Sequence, residues 1–401
     1  MQYIFYMQVK KWFLLIASIF SSAFLIAQEN TLLFHNSKSV SNVLTLLKED
    51  PSKKAAASEL IKKGRSNLSK VLTSVVAKQQ TTPCGNPHEY MSMAAYFWPD
   101  PTKPDGLPYI RKDGQRNPDN AKVPDHKSMD DWISWVTSLS WSYYVSKDEV
   151  FAQKAVSFLR FWCIDTATYM IPNLNHAQII RGIDTGRGIG IIDIHQLPDL
   201  LEGLQLLESS AAFTVNDRTL VKQWFRELLY WLRKSDNGKQ EMRSKNNHKT
   251  FYEGLVASLA VYVGEYAVAD EIFAKAPQLM LSQIMEDGMQ PLETERTNGL
   301  SYSIFNLVAW FQLATLAENR GVDLWNYPSA ANPRIKKALD MLLPYVSGEK
   351  KWITQQIGSF QPEDYYRLTD KAAVKYNNNA YKGLGKASQS TDIPIHNLFY
   401  R

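Results

Sequence analysis

The stretch LVASLAVYV at residues 255–263 decides the fold class of this chain. Apolar side chains fill almost every position, so a helix formed here is apolar on more than one face. Such a helix packs on two sides, as in layered helical architectures, whereas a surface helix carries a single apolar stripe. The stretch therefore indicates a helix that lies between other helices.

Further segments with apolar residues at three- and four-residue spacing occur on both sides of this stretch. With it, they cover residues 55–77, 129–145, 149–162, 197–207, 215–234, 250–263, 268–285, 300–318 and 333–345. Helix pairs recur at broadly even intervals, and clear alternating strands are absent. We predict an all-α fold, an (α/α) toroid: an incomplete barrel of antiparallel helical hairpins whose inner helices line a central cleft.

Two stretches interrupt the helical pattern. Residues 81–127 mix proline and glycine with aromatic and charged side chains, which is typical of a lid or binding loop. Residues 173–198 bring several glycines close together, but no strand precedes a G-x-G-x-x-G turn, so a dinucleotide-binding loop is not predicted. The polar and aromatic tail after residue 348 is expected to cap the helical body.

Composition narrows the possible functions. Of the 401 residues 45% are hydrophobic, which is ordinary for a globular protein. The formal charge of +5 excludes a nucleic-acid binder driven by bulk charge but permits a local basic cleft for an acidic ligand. Two cysteines, Cys84 and Cys163, exclude a disulfide scaffold and a structural zinc site built from cysteines. Whether they pair is left open, as is the oligomeric state.

The first 27 residues have the pattern of a secretory signal peptide. Lys10 and Lys11 precede an uncharged apolar run at residues 12–27, which is shorter than the ~20 residues of a membrane span. We predict cleavage after Ala27, a mature single domain at residues 28–401, and a periplasmic or secreted location. An uncleaved anchor is the alternative. No other segment is predicted to cross a membrane.

The first candidate site is the run Lys245-Asn246-Asn247-His248, which precedes the apolar helix that begins near Thr250. Unpaired backbone N–H groups and the positive end of the helix dipole favour an anion at this place. The alternative is an ordinary asparagine cap beside an exposed histidine.

The second candidate site joins Arg296 to Tyr302, six residues later, where another apolar helix opens. A nearby cation favours the phenolate and lowers the pKa of a tyrosine, which is ordinarily about 10. The alternative is a surface arginine paired with Glu293 or Glu295 and a tyrosine in the core.

Together these motifs are similar to those of a known enzyme family. The Asn-Asn-His before a helix, the R-T-x-x-L-x-Y-S-x-F-N-L run and the upstream Y-F-W-P-D-P…P-Y-I-R-x-D-G…N-P loop resemble the alginate lyase superfamily: polysaccharide lyase family 5 and, more closely, family 38. The resemblance covers roughly residues 90–345 and implies an (α/α) toroid that cleaves a uronic-acid polymer. It places the charge-neutralising residues at Asn247, His248 and Arg296, and the catalytic tyrosine at Tyr302.

These residue types suit the chemistry that the resemblance implies. A uronate lyase removes the C5 proton beside a carboxylate and expels the 4-linked sugar oxygen, so the carboxylate must be neutralised. If the proton and the leaving oxygen lie on one face, as in mannuronate or glucuronate, Tyr302 serves as base and acid. If they lie on opposite faces, as in guluronate, His248 is the better base and Tyr302 the acid. We expect Tyr302 in both roles, with no metal and no cofactor.

Candidates to bind the acidic polysaccharide lie in the two interrupting stretches. Aromatic rings suit the apolar faces of sugars, and arginine pairs with carboxylates through two hydrogen bonds. Helix caps, ion pairs or a core anchor for the loop are the alternative roles. The predicted substrate-binding residues are Tyr96, Trp98, Tyr109, Arg111, Asn175, His176 and Arg187.

Two other functions remain open at this point. A glycoside hydrolase on a similar toroid needs two carboxylates across the scissile bond, and nothing in the sequence singles out such a pair. A non-catalytic glycan-binding protein would show the same aromatic residues but has no need of the Arg–Tyr pair. The carboxylates available to a hydrolase are Asp184, Asp193, Glu253, Glu293 and Glu295.

Overall fold

Helices make up most of the chain in the computed structural model, which describes residues 32–35, 37–384 and 394–400. Sequential helices pack as antiparallel neighbours and form the predicted (α/α) toroid, which is not closed into a barrel. The predicted signal peptide lies outside the described residues. The helices are α1 (Ser37–Leu46), α2 (Pro51–Leu68), α3 (Asp125–Ser146), α4 (Glu149–Cys163), α5 (Leu197–Leu207), α6 (Val215–Lys234), α7 (Asp236–Met242), α8 (Asn247–Val263), α9 (Tyr266–Gln283), α10 (Pro291–Thr294), α11 (Gly299–Glu318), α12 (Arg334–Val346), α13 (Glu363–Lys375) and α14 (Pro394–Tyr400).

Helix α8 contains the stretch that predicts the fold, and it packs on α6, α9 and α11. Its buried residues face all of these neighbours, as expected for a helix with apolar side chains all round. Asn246 caps its first turn by accepting a hydrogen bond from the backbone N–H of His248, and Gly264 ends it with φ of 90°. These two signals fix both ends of the helix that begins with Asn247.

The region predicted as one long loop, residues 81–127, contains regular structure. It holds β1 (Met91–Met93), the antiparallel pair β2 (Phe97–Trp98) and β3 (Ile110–Arg111), a 3₁₀ turn at Pro118–Lys122 and the first residues of α3. Strand β1 pairs in parallel with β4 (His176–Ile179) of the second interrupting stretch. The expectation that strands are absent was therefore wrong for these short segments.

A buried ion pair fixes the base of this loop. The Lys78 ammonium lies 2.9 Å from the Asp125 carboxylate and also donates to the backbone oxygens of Pro87 and Glu89. Burial raises the pKa of Asp125 to about 6, although the Lys78 charge opposes this shift. The pair joins the residues before the loop to the start of α3.

Helix α11 is long and apolar enough to cross a bilayer, judged by length and composition alone, although no segment after residue 27 is predicted to do so. However, 72% of its most apolar window is buried inside the protein, where it packs on α8, α12 and α13. Its composition is accordingly that of a core helix.

The tail after residue 348 covers the helical body in two ways. The amide of Gln356 donates to the Ser301 hydroxyl, and the amide of Gly299 donates to the Gln355 oxygen, so the tail covers the start of α11. Farther along, α13 buries Tyr365 against α12.

The two ends of the described chain contact each other. The rings of His35 and Phe399 stack with centroids 3.9 Å apart. The amides of Phe34 and His35 donate to the Glu202 carboxylate at 2.7 and 2.9 Å, while Asn319 donates to the backbone oxygen of Leu33. The first described residues are thus tied to α5, α11 and α14.

Candidate active site

At the start of α8, two predicted site residues each contact a buried carboxylate. The Asn247 backbone N–H and Nδ2 donate to the two Glu293 oxygens at 2.5 and 2.6 Å. His248 Nδ1 lies 2.7 Å from Oε1 of Glu241, and the His248 side chain is only 12% exposed. The alternative considered above is half right: Asn246 is an ordinary asparagine cap, but His248 is largely buried and held by Glu241 instead of being exposed.

The two carboxylates differ in their electrostatic environments. Glu241 also accepts from the Ser244 hydroxyl at 3.1 Å. Burial raises the pKa of Glu293, although its hydrogen bonds with Asn247 and the charges of Arg296 and His248 oppose the shift. Glu293 therefore lies within electrostatic reach of both cationic candidates, and it is not the surface partner of arginine considered above.

Arg296 and Tyr302 form the second half of the site. The Arg296 guanidinium lies 4.0 Å from the centroid of the Tyr302 ring, where a cation is attracted to the aromatic face. The Tyr302 hydroxyl is 2.9 Å from the hydroxyl of Tyr96, which comes from the loop. The six-residue spacing thus brings the pair together, and the loop adds a second phenol.

The expected lowering of the Tyr302 pKa is wrong. Burial of the ring raises the pKa of Tyr302 above its ordinary value, and the hydrogen bond with Tyr96 raises it further. Arg296 lowers this pKa, as the sequence predicts, but its contribution is smaller than that of burial. Tyr302 therefore rests in the protonated form in the free protein.

Asp113 links the loop to this pair. It accepts hydrogen bonds from Arg111 at 2.7 Å, from Arg296 at 3.1 Å and from the Thr297 hydroxyl at 2.8 Å. Burial opposes ionisation of Asp113, yet the hydrogen bonds from Thr297, Arg296 and Arg111 hold its pKa at about 2. The loop therefore contributes a permanent negative charge beside Arg296.

Comparison with known proteins identifies the family. A family model described as alginate lyase matches residues 74–352. The chain is 35% identical to an alginate lyase from Bacteroides ovatus of known crystal structure, over 93% of this chain and 99% of that one, with a TM-score of 0.87. The chain belongs to the alginate lyase family. It is accordingly a polysaccharide lyase on an (α/α) toroid.

Two more distant structures share the fold of this lyase. A variant of alginate lyase A1-III in complex with a tetrasaccharide is 16% identical, over 88% of this chain and 96% of that one, with a TM-score of 0.58. The A1-III enzyme from Sphingomonas species A1 is 15% identical, over 84% and 94%, with a TM-score of 0.53. Among curated proteins, no sequence matches this chain.

The substrate-binding candidates on the loop of this lyase are half-buried or exposed. Trp98 Nε1 donates to the Gln115 backbone oxygen, and its ring is 5.2 Å from the Lys112 ammonium. Arg181 lies 6.0 Å from the Tyr109 ring. Arg111, whose side chain is 58% exposed, is held by Asp113. These contacts fix the side chains while leaving surface for a ligand.

The candidates from the second interrupting stretch lie around β4. Arg187 Nε and Nη2 donate to the backbone and side-chain oxygens of Gln178, and its guanidinium is 5.2 Å from the Phe97 ring. Asn175 accepts from Trp231 Nε1 at 2.8 Å. His176 contacts the Thr185 oxygen through Nδ1 and lies 3.9 Å from Glu89 through Nε2. Their roles in substrate binding remain predictions.

Several residues of the site are not evident from the sequence alone. Glu241 and Glu293 are two of many acids, and Gln178 has an ordinary local context. Asp113, by contrast, belongs to the R-x-D-G segment already noted as a motif. Gln178 stands out only in the structure. Its backbone φ is 52°, and its side chain donates to Asp193 and accepts from Arg187.

Proposed function

We propose that this lyase cleaves 1,4-linked uronate polymers, either alginate rich in mannuronate or glucuronan, by β-elimination. The proposal rests on one observation: Asn247, at the start of α8, donates to Glu293, a carboxylate within electrostatic reach of the neighbouring His248 and of Arg296, from the segment before α11. Arg296 in turn lies on the Tyr302 ring. Donors for a carboxylate and a phenol for proton transfer thus share one site.

In this proposal His248 and Arg296 neutralise the substrate carboxylate. Asn247 has one Nδ2 hydrogen directed at Glu293 and retains a second donor. Within the described part of the chain, Arg296 Nε is buried and has no hydrogen-bond partner, so it too is available to a ligand oxygen. Each such donor contributes about 3–4 kcal/mol to the stabilisation of the charge that develops in the transition state.

Tyr302 acts as base and then as acid. It removes the C5 proton and returns a proton to the glycosidic oxygen as the C4–O bond breaks. A raised pKa suits the second step, because a protonated phenol is the donor. For the first step the phenolic proton of Tyr302 must already have passed to solvent, a loss that the Arg296 charge favours, so that the phenolate takes up the C5 proton; the Tyr96 hydroxyl lies 2.9 Å from the Tyr302 oxygen. Tyr96 is thereby proposed to bind beside the scissile bond.

The polymer is acidic, and the proposed binding residues suit it. Arg111 and Arg187 offer planar donors for carboxylates, while Tyr109 and Trp98 offer rings for sugar faces. Their location on the loop and beside β4 supports a cleft that continues from the catalytic group. Asn175 and His176 complete the proposed set.

A hydrolytic mechanism has less support than elimination. Several of the carboxylates that it would need have structural partners: Glu253 pairs with Lys249, Glu293 binds Asn247, and Asp193 accepts from Tyr90 and Ser92. A carboxylate held in this way is poorly placed to protonate a leaving oxygen or to activate water.

We further propose that residues 1–27 direct the chain out of the cytoplasm and are then removed. A polymeric acidic substrate is met outside the cell or in the periplasm, which agrees with this location. The mature enzyme would consist of residues 28–401, and its N-terminal sequence, measured by mass spectrometry on secreted protein, tests the cleavage position.

Ultraviolet absorbance tests the reaction itself, because β-elimination leaves a conjugated unsaturated uronate. Mature protein is incubated with polymannuronate, polyguluronate, glucuronan and a neutral glucan. We expect absorbance to rise on mannuronate or glucuronan and to be lost in Tyr302→Phe. Tyr266→Phe is the matched control, because Tyr266 also lies against an arginine, Arg320, at 4.7 Å. Full activity of Tyr302→Phe, or new reducing ends without absorbance, would contradict the proposal.

A further inference from the structure

Cys84, Glu89 and His176 bring three different metal-binding groups together at the base of the loop. The thiol sulfur, a carboxylate oxygen and an imidazole nitrogen all lie within 4.8 Å of one another. The fold explains their proximity, because β1 and β4 are parallel neighbours in which Met91 pairs with His176. Glu89 therefore lies beside the start of β4, and the preceding turn brings Cys84 to the same place.

The imidazole of His176 is oriented for metal binding. Its Nδ1 lies 2.8 Å from the backbone oxygen of Thr185, and a carbonyl oxygen only accepts hydrogen bonds. Nδ1 therefore carries the hydrogen, and Nε2 presents its lone pair toward Glu89, whose nearer oxygen is 3.9 Å away. Metal-binding histidines are held in this way, with the second nitrogen donating to a carbonyl or carboxylate.

The ligand types indicate which ion fits. Thiolate, imidazole and carboxylate together are typical of Zn²⁺, whereas calcium and magnesium take oxygen ligands. Three protein ligands leave a fourth position of a tetrahedral site for water. The low cysteine count argues against a zinc site built from cysteines, but it permits one thiolate that is completed by nitrogen and oxygen.

The groups around the cluster are compatible with a bound cation. The Lys78 ammonium attracts the charges of Glu89 and Cys84, but its own charge is paired with Asp125 at 2.9 Å. Two neutral groups complete the surroundings: Thr82 Oγ1 lies 3.6 Å from the Cys84 sulfur, and Asn175 Nδ2 lies 3.4 Å from a Glu89 oxygen. Cys84 is exposed, which gives an ion a route of entry.

We propose that Cys84, Glu89 and His176 bind one zinc ion that joins the start of the loop to β4. The elimination chemistry needs no metal, and with the ion bound, His176, also proposed above to bind the polymer, would hold the ion instead. The ion would act by restraining the structure around it, because β4 also carries Gln178, the residue that holds Arg187. A bound ion would therefore restrain the loop and the strand that positions this arginine.

Cobalt substitution tests the site directly. Tag-free mature protein, reduced and freed of metal, is titrated with Co²⁺, since a Co²⁺–thiolate bond produces a charge-transfer band in the near ultraviolet. We expect one equivalent to produce the band and Zn²⁺ to displace it. Cys84→Ser should abolish the band, and Glu89→Gln should weaken binding by about tenfold or more.

The second cysteine provides the matched control. Cys163 is buried in the core, away from the surface, so Cys163→Ala should retain the band at the same stoichiometry. Circular dichroism checks that each variant is folded. Absence of the band in wild-type protein, or a band that persists in Cys84→Ser, would overturn the proposal. Zinc-dependent protection of residues 81–90 from proteolysis, lost in His176→Ala, would support the restraint of the loop.

Discussion

The contact between Glu241 and His248 predicts a moderate loss of activity when Glu241 becomes glutamine and a larger loss when it becomes alanine. A charge-assisted hydrogen bond contributes about 1.5–3 kcal/mol, and a neutral one about 0.5–1.5 kcal/mol. Glu241→Gln keeps an oxygen acceptor for His248 Nδ1 but removes the charge, so the loss should be about 1–1.5 kcal/mol, or about 5- to 13-fold in kcat/KM. Glu241→Ala removes the whole interaction, 2.7 Å long in the folded protein, and should cost about 10- to 150-fold.

The assay is the initial rate of ultraviolet absorbance on the preferred uronate polymer, measured across substrate concentrations. Because Glu241 acts through His248, which meets the charge that develops during elimination, the loss should fall mainly on kcat. Glu253→Gln is the control: Glu253 lies on α8 together with His248 and pairs with Lys249, but it does not hold His248. We expect that variant to remain within about twofold of wild type, because Glu253 pairs with Lys249 and has no role in the proposed elimination.

The decisive result is the order of the activity losses among the three variants. Wild-type rates in both Glu241 variants would refute the role given to this carboxylate. Equal losses for glutamine and alanine, accompanied by equal losses in melting temperature, would show that Glu241 serves packing alone. Glu241 is almost fully buried, so thermal unfolding of each variant must accompany the kinetics.

Three further predictions concern the two stretches that interrupt the helices. Tyr96→Phe removes a hydrogen bond that adds to the effect of burial in raising the pKa of Tyr302, so the limb of the rate–pH profile that rises as the base loses its proton should move to lower pH; an unchanged rising limb would argue against Tyr302 as the base. The pKa of Asp113 is about 2 when folded and ordinarily 3.8, so its ionisation stabilises the fold above 3.8, and the melting-temperature gap between wild type and Asp113→Asn should shrink as pH falls through this window. Gly186→Ala, at φ of 142°, places a Cβ 1.9 Å from a backbone oxygen and should destabilise the fold by about 1–3 kcal/mol in denaturant melts, whereas Gly254→Ala, in an open helical position, should not.

The sequence predicts the helical framework well because apolar spacing reports burial directly. The predicted bounds of α5 and α6 agree with the structure, and α8 begins beside its predicted asparagine cap. The strands were missed for a physical reason. Strands of two to four residues are too short for an alternating pattern to emerge, and β1 pairs with a segment more than eighty residues away.

The site could be predicted in part. Asn247 and His248 are neighbours at one helix start, and a short turn places Arg296 beside Tyr302. The local sequence was therefore sufficient to predict these two pairs. Their partners lie on other helices: Glu241 was hidden among many acids, and Glu293 was named only as a surface partner of Arg296 or a hydrolase carboxylate. The direction of the Tyr302 pKa shift depends on burial and on Tyr96, and neither is visible in the spacing of an arginine and a tyrosine.

The meeting of the chain ends has a consequence for how the protein is made. Residues 32–35 leave the ribosome early, yet their partners Glu202, Asn319 and Phe399 follow much later. The earliest part of the polypeptide cannot complete its native contacts until the final helix has been translated. A chain that is cut short before Phe399 therefore loses the ring that stacks on His35 and keeps its beginning attached only through Glu202 and Asn319.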